Sequence, residues 1–114
     1  MASKPPSDWY PHRGEVYLAD MDKLRPVVVI STDALNSFSY DVCIVPLTRV
    51  KRQVFSIRAR VPAGQGGLRT DSWAKCDQVT TLERVDLHYP SLGTVSAATL
   101  EDIGEGIRDA LELE

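Results

Sequence analysis

The chain has 114 residues, of which 43% are apolar and 25% charged, and its formal net charge is −3. That length suits one domain with a core that needs neither disulfides nor metal, and no apolar run approaches the ~18 residues of a membrane span. The acidic balance also speaks against a chain that binds nucleic acid through bulk charge alone.

From the N-terminus, Met1 to Pro11 is polar, holds three prolines and lacks the apolar stretch of an export signal. Residues 1–12 are therefore expected to be a flexible tail, and 13–114 a single domain. Glu15–Met21 is the first expected strand, and Asp22-Lys23-Leu24 a tight connection. Pro26–Ser31 is apolar on both faces and so should be a central strand. Asp33–Asn36 should form a helical turn capped by Thr32 or Asp33, and Val42–Leu47 another buried strand.

Gln53–Val61 alternates, with Phe55, Ile57, Ala59 and Val61 on one face and Ser56, Arg58 and Arg60 on the other. Gly64–Gly67 reads as a turn, Ser72–Val79 as a strand, Glu83–Val85 as a turn and Gly93–Val95 as a short final strand. Ser96 should cap a helix from Ala97 to about Leu113 whose apolar stripe is Leu100, Ile103, Ile107, Ala110 and Leu111. Gly104 and Gly106 either weaken this helix or let it pack closely. Many short strands and a closing helix predict a mainly β domain with helical additions, built as a small, strongly bent antiparallel barrel.

Charge is unevenly spread. No acidic residue stands between Asp41 and Asp71, where Arg49, Lys51, Arg52, Arg58, Arg60 and Arg69 all lie. From Asp71 onward ten acidic residues face only Lys75, Arg84 and Arg108. The middle of the chain can thus present a basic face. The competing use of such charge is an edge strand kept soluble.

Arg25 stands at the mouth of a buried strand, just before Pro26. Its guanidinium can offer a fixed fork to a phosphate, or it can form a rim ion pair with Asp20, Asp22 or Asp33. Thr48 ends the Val45-Pro46-Leu47-Thr48 run, a common place for a plain strand-end hydrogen bond. Trp73, Lys75 and Asp77 alternate along the expected strand Ser72–Val79 and so share a face, uniting an aromatic for base stacking, a cation and a carboxylate; a core or dimer contact and a surface ion pair are the plainer reading. Cys76 should point the opposite way, into the core. With Cys43 it is expected as a free thiol in a reducing cytosol. His12 and His88 have no ligand cluster around them, so neither metal nor cofactor is expected.

Five blocks stand in fixed order: Arg13-Gly14-Glu15-Val16-Tyr17; Arg25-Pro26 before Val27–Ile30; Val45-Pro46-Leu47-Thr48; Gly67-Leu68-Arg69-Thr70-Asp71-Ser72; and Cys76-Asp77-Gln78-Val79-Thr80-Thr81. The series resembles the MazF/PemK toxin endoribonucleases from Arg13 to about Leu113. The resemblance implies a CcdB/PemK-like, SH3-like barrel, usually a homodimer. It further implies a cytoplasmic toxin of a type II toxin–antitoxin system that cuts single-stranded RNA without metal and is held by an acidic antitoxin. It places catalytic roles on Arg25, Thr48, Asp77 and Lys75, where lysine stands for an arginine of some members. RNA contacts are expected from Arg49, Lys51, Arg52, Phe55, Ser56, Arg58 and Trp73. The loop before Arg25 is shorter than in many members and carries no histidine. A CcdB-like gyrase-binding toxin, a binding module of the same barrel shape and a catalytically weakened toxin are the alternatives.

Overall fold

The computed structural model describes residues 3–51 and 57–113. Its strands are β1 (Glu15–Asp20), β2 (Leu24–Val29), β3 (Asp41–Thr48), β4 (Arg58–Val61), β5 (Ser72–Lys75), β6 (Thr80–Glu83) and β7 (Leu87–Thr94), with helices α1 (Asp33–Phe38) and α2 (Ala97–Leu111). The strands follow the order β4-β5-β3-β2-β1-β7, with β6 also on β3, and every pairing is antiparallel.

β2 is central, as its continuous apolar run predicts: Val27, Val28 and Val29 are fully buried. β3 holds the sheet together. One edge pairs with β2; along the other, Asp41–Ile44 meets β6 and Leu47–Thr48 meets β5. Pro46, with no N–H to donate, sits next to this fork. The ends of the strand order approach each other through the 3-10 turn Gln65–Gly67. A Cβ added to Gly67, whose φ is +71°, would lie 2.1 Å from the Leu92 carbonyl oxygen, so only glycine allows this contact with β7.

Each sheet face buries its own core. Val16, Val28, Val45, Leu47, Val61, Ala74 and Cys76 pack with Ile103 of α2. Tyr17, Ala19, Val27, Val29, Val42, Ile44 and Leu87 pack beneath Trp9, Met21 and Leu82. The N-terminal segment, expected as a free tail, touches the barrel at Ser3 and again from Trp9 to Pro11, with residues 4–8 exposed. The Ser3 amide donates to the Tyr89 carbonyl at 2.9 Å, Pro11 is buried, and the Arg84 guanidinium donates to the backbone carbonyls of Trp9, Asn36 and Ser39. Partial burial of Trp9 and full burial of Pro11 favour ordering the end of a segment that is otherwise polar.

Three strand expectations need correction. β5 ends at Lys75, not Val79, because the Gln78 amide donates to the Lys75 carbonyl at 3.0 Å and turns the chain. β6 was not foreseen, and β7 runs over eight residues rather than three. Of the expected strand Gln53–Val61, residues 53–56 lie outside the described residues.

Thr32 caps α1, accepting from the Leu35 amide at 3.3 Å, and Ser96 caps α2, accepting from the Thr99 amide at 3.1 Å. The apolar stripe of α2 ends earlier than expected, since Leu111 is half exposed. Its two glycines differ. A Cβ at Gly106 would lie 2.5 Å from Cys76 Sγ, whereas one at Gly104 meets nothing within 4 Å. Gly104→Ala is therefore expected to stabilise the protein by about 0.5–1 kcal/mol, the usual gain in a helix interior. Gly106→Ala should lower the melting temperature, because the helix must move off Cys76 to admit the methyl group. Thermal unfolding of the two variants side by side checks this; equal shifts would mean that Gly106 is not a packing glycine.

Candidate RNA-cleaving groove

The end of β3 sets the first side chain. Thr48 is paired with Trp73 on β5, Trp73 with Arg60 on β4, and Lys75 with Arg58. Directly opposed residues share a face, so Thr48, Trp73, Lys75, Arg58 and Arg60 form one outward surface. The alternate residues Leu47, Ser72, Ala74, Ala59 and Val61 turn into the core. The β2–β3 ladder ends at Val27–Pro46; continued by two residues, that register sets Arg25 abreast of Thr48. Across β2, β3, β5 and β4 the row Arg25–Thr48–Trp73–Arg60 would span roughly 15 Å at the usual strand spacing.

Arg25 and Thr48 open into one groove of about 600 Å³. Its lining holds four cations, Lys23, Arg25, Arg49 and Arg69, the hydroxyls of Thr48, Thr70 and Ser72, and an apolar wall that includes Leu18, Leu24, Leu68 and Leu92. Among the described residues no carboxylate lines it. A phosphodiester entering here meets positive charge over a partly apolar floor.

Arg25 lies between the two uses foreseen for it. Its Nε donates to Asp22 Oδ1 at 2.8 Å and its Nη2 to Asp22 Oδ2 at 3.1 Å. This is the rim ion pair, with Asp22 as the partner. The pair commits two of the five guanidinium donors and leaves the others for an anion. The hydrogen bond from Arg25 holds the Asp22 carboxyl down, to about 2. A depressed carboxylate keeps its pair above its ordinary range and loses it only as pH falls toward 2, so the clamp is intact at neutral pH. Both groups meet solvent, and the pair contributes direction more than stability. The Thr48 hydroxyl accepts from the Val50 amide at 3.2 Å, which leaves its own proton to donate into the groove.

The other expected residues spread out. Asp77 is exposed in the Lys75–Gln78 turn just past the end of β5, and neither Asp77 nor Lys75 lines the groove. Arg58 braces the preceding loop, donating from Nη1 to the Val50 carbonyl at 2.7 Å. Arg60 is paired with Asp71 at 2.9 Å. Arg49 lines the groove and Lys51 is exposed beyond it. Arg52, Phe55 and Ser56 lie outside the described residues. Cys76 is buried, and desolvation pushes its thiol up, away from the reactive thiolate. His88 pairs with Asp20 at 2.9 Å, and His12 lies by Glu15.

Lys23, Arg69, Thr70 and Ser72 were not singled out as site residues. Arg69, Thr70 and Ser72 stand in the Gly67–Ser72 block, which was the available signal. What brings that block to Arg25 is the packing of the 65–67 turn on β7.

Comparison with known proteins bears on what this groove serves. The Mycobacterium tuberculosis protein named endoribonuclease MazF9 is 29% identical, over 89% of this chain and 96% of the relative. Endoribonuclease MazF3 of the same species is 26% identical over 87% and 93%. Among solved structures, a mycobacterial endoribonuclease in complex with its cognate antitoxin superposes with a TM-score of 0.81 at 28% identity, covering 91% of this chain and 97% of the other. The M. tuberculosis toxin MazF-mt6 gives 0.79 at 26% identity, covering 88% and 98%. The profile of the PemK-like, MazF-like toxins matches residues 12–111. With nearly its whole length matched and the Arg25–Thr48 groove at the barrel rim, the chain belongs to the family of PemK-like, MazF-like toxins of type II toxin–antitoxin systems.

Proposed function

We propose that the chain is the toxin of a type II pair and acts as a sequence-specific, metal-independent endoribonuclease on single-stranded RNA in the cytoplasm. One observation carries this reading. Arg25 and Thr48, the residues that the family likeness selects, line the same cation-rich groove although 22 residues separate them in the chain.

The chemistry is a transesterification. The ribose 2′-hydroxyl attacks phosphorus, a pentacoordinate phosphorane forms, and the 5′-oxygen leaves. Arg25, steadied by Asp22, stabilises the charge on the phosphorane oxygens. Thr48 donates to the phosphate or orients the attacking hydroxyl. A threonine hydroxyl is too weak a base to take the 2′ proton. Asp77 and Lys75, which stand at and just past the end of β5 outside the groove lining, are the proposed acid–base pair, with Lys75 assisting the leaving oxygen. Arg49 and Lys51 track the backbone beyond the cut, and Trp73 offers a ring for stacking.

An acidic antitoxin segment would compete for the same four cations, in keeping with the antitoxin bound in the similar mycobacterial structure. A homodimer is the proposed assembly. A gyrase-binding toxin of the same barrel shape has less support, because a groove with four cations and no carboxylate suits a polyanion better than a protein surface.

The test is incubation of the purified protein with a long, weakly structured RNA, with and without EDTA. Cutting at a recurrent short sequence is the expected result. Intact RNA together with inhibited gyrase supercoiling would overturn the proposal.

A further inference from the structure

A second groove, of about 420 Å³, shares no lining residue with the first and has the opposite character. Its walls include Trp9, Tyr17 and Tyr89, the carboxylates of Asp8 and Glu15, and the His12 imidazole, whose Nδ1 lies 3.7 Å from Glu15 Oε1; among the described residues no lysine or arginine lines it. The rings are not stacked on one another. Trp9 stands edge-on to Tyr17, with centroids 6.0 Å apart and planes at 75°, and edge-on to Tyr89, at 5.8 Å and 81°. Tyr17 is fully buried, which leaves the half-buried Trp9 and Tyr89, steeply inclined to each other, as the rings an occupant can reach.

The acid is fixed in place. Glu15 Oε1 accepts from the Tyr17 hydroxyl at 2.9 Å and from the His12 amide at 2.6 Å. Burial, and then the bond to Glu15, push the Tyr17 hydroxyl well above its ordinary range, so it stays protonated and keeps donating. Asp8 is exposed at the rim. Aromatic faces and two carboxylates repel phosphate and attract organic cations, so RNA is the wrong occupant.

We propose that this groove binds a guanidinium or alkylammonium group, supplied by an arginine or lysine side chain of a protein or by a free polyamine. The inference does not rest on RNA cleavage and would stand if that reading failed. It gives the docked N-terminal segment a role, since Trp9 and Asp8 belong to that segment and complete the site.

The test follows the two indole N–H signals, Trp9 and Trp73, in nitrogen-15 spectra of the full chain. N-acetyl-arginine amide, N-acetyl-lysine amide and spermidine are titrated separately, with N-acetyl-alanine amide as the neutral control. A saturable shift of the Trp9 signal at millimolar concentrations is expected with at least one cation, while Trp73 stays in place. Asp8→Asn, which alters an exposed side chain, should weaken binding several-fold. Response to the amides alone identifies a protein side chain as the source; response to spermidine alone identifies a polyamine; either supports the site. No Trp9 shift with any cation, an equal shift with the neutral amide, or unchanged affinity in Asp8→Asn would overturn it.

Discussion

Replacing Arg25 with alanine is expected to lower RNA cleavage by at least ~10²-fold, the scale of losing one donor to a developing oxyanion, while the protein keeps its fold. The side chain stands at the mouth of β2 and its charged group is paired with the exposed Asp22, so truncation opens no core cavity. Thr48→Ala should give a comparable loss, because its hydroxyl lies in the same groove and its one internal bond, to the Val50 amide, is exposed. Asp77→Ala should cost less than either, since Asp77 stands outside the groove lining. The measurement is single-turnover cleavage, with thermal melting to confirm that each variant is folded. Normal turnover by a folded Arg25→Ala protein would remove the groove from the mechanism. Full activity of Asp77→Ala would make that carboxylate structural and send the search for the base elsewhere.

The contrast between Arg25 and Asp77 shows how far the sequence could be read. β1, β2 and β3 were legible because their apolar residues fall on buried faces and nothing local competes. β6 was not. Thr80–Glu83 alternates only between half-buried and exposed positions, and it is a strand because β3 offers it a free edge at Asp41–Ile44. β7 contains Pro90 and Gly93, both signals of interruption, and pairing with β1 overrides them, with one irregularity between Val16 and Leu18.

β5 failed in the other direction. The strand stops at Lys75, so Asp77 stands in the turn that follows, although the alternation of buried Cys76 and exposed Asp77 carries on past the strand's end. The groove itself joins loops distant in sequence. Arg25 and Thr48 were named through family likeness, whereas the approach of Arg69 and Thr70 depends on glycine packing against β7, which local pattern does not express. The docked N-terminus was hidden for a related reason: its polar composition is that of a tail, and two residues, Trp9 and Pro11, decide otherwise.

A substrate with a single 2′-deoxy sugar just 5′ of the scissile phosphate is expected to bind almost normally and not to be cut. Its phosphates are unchanged, so contacts with Lys23, Arg25, Arg49 and Arg69 survive, and these dominate affinity for a polyanion. What it lacks is the proposed nucleophile. Among the described residues no histidine lines the groove to activate the Thr48, Thr70 or Ser72 hydroxyl in its place, since both histidines stand beside carboxylates elsewhere, and the buried thiol of Cys76 is pushed toward its neutral form. Among the described residues, no three His, Cys, Asp or Glu side chains are placed to hold a metal that could generate hydroxide. Products from the all-ribose substrate should therefore carry a 2′,3′-cyclic phosphate and a free 5′-hydroxyl, in the presence of EDTA as in its absence. Electrophoresis of end-labelled RNA, with mass spectrometry of the fragments, reads both outcomes. Cleavage of the deoxy substrate, or fragments bearing 5′-phosphates, would mean that water attacks instead of the ribose, and Arg25 would then be stabilising a different transition state.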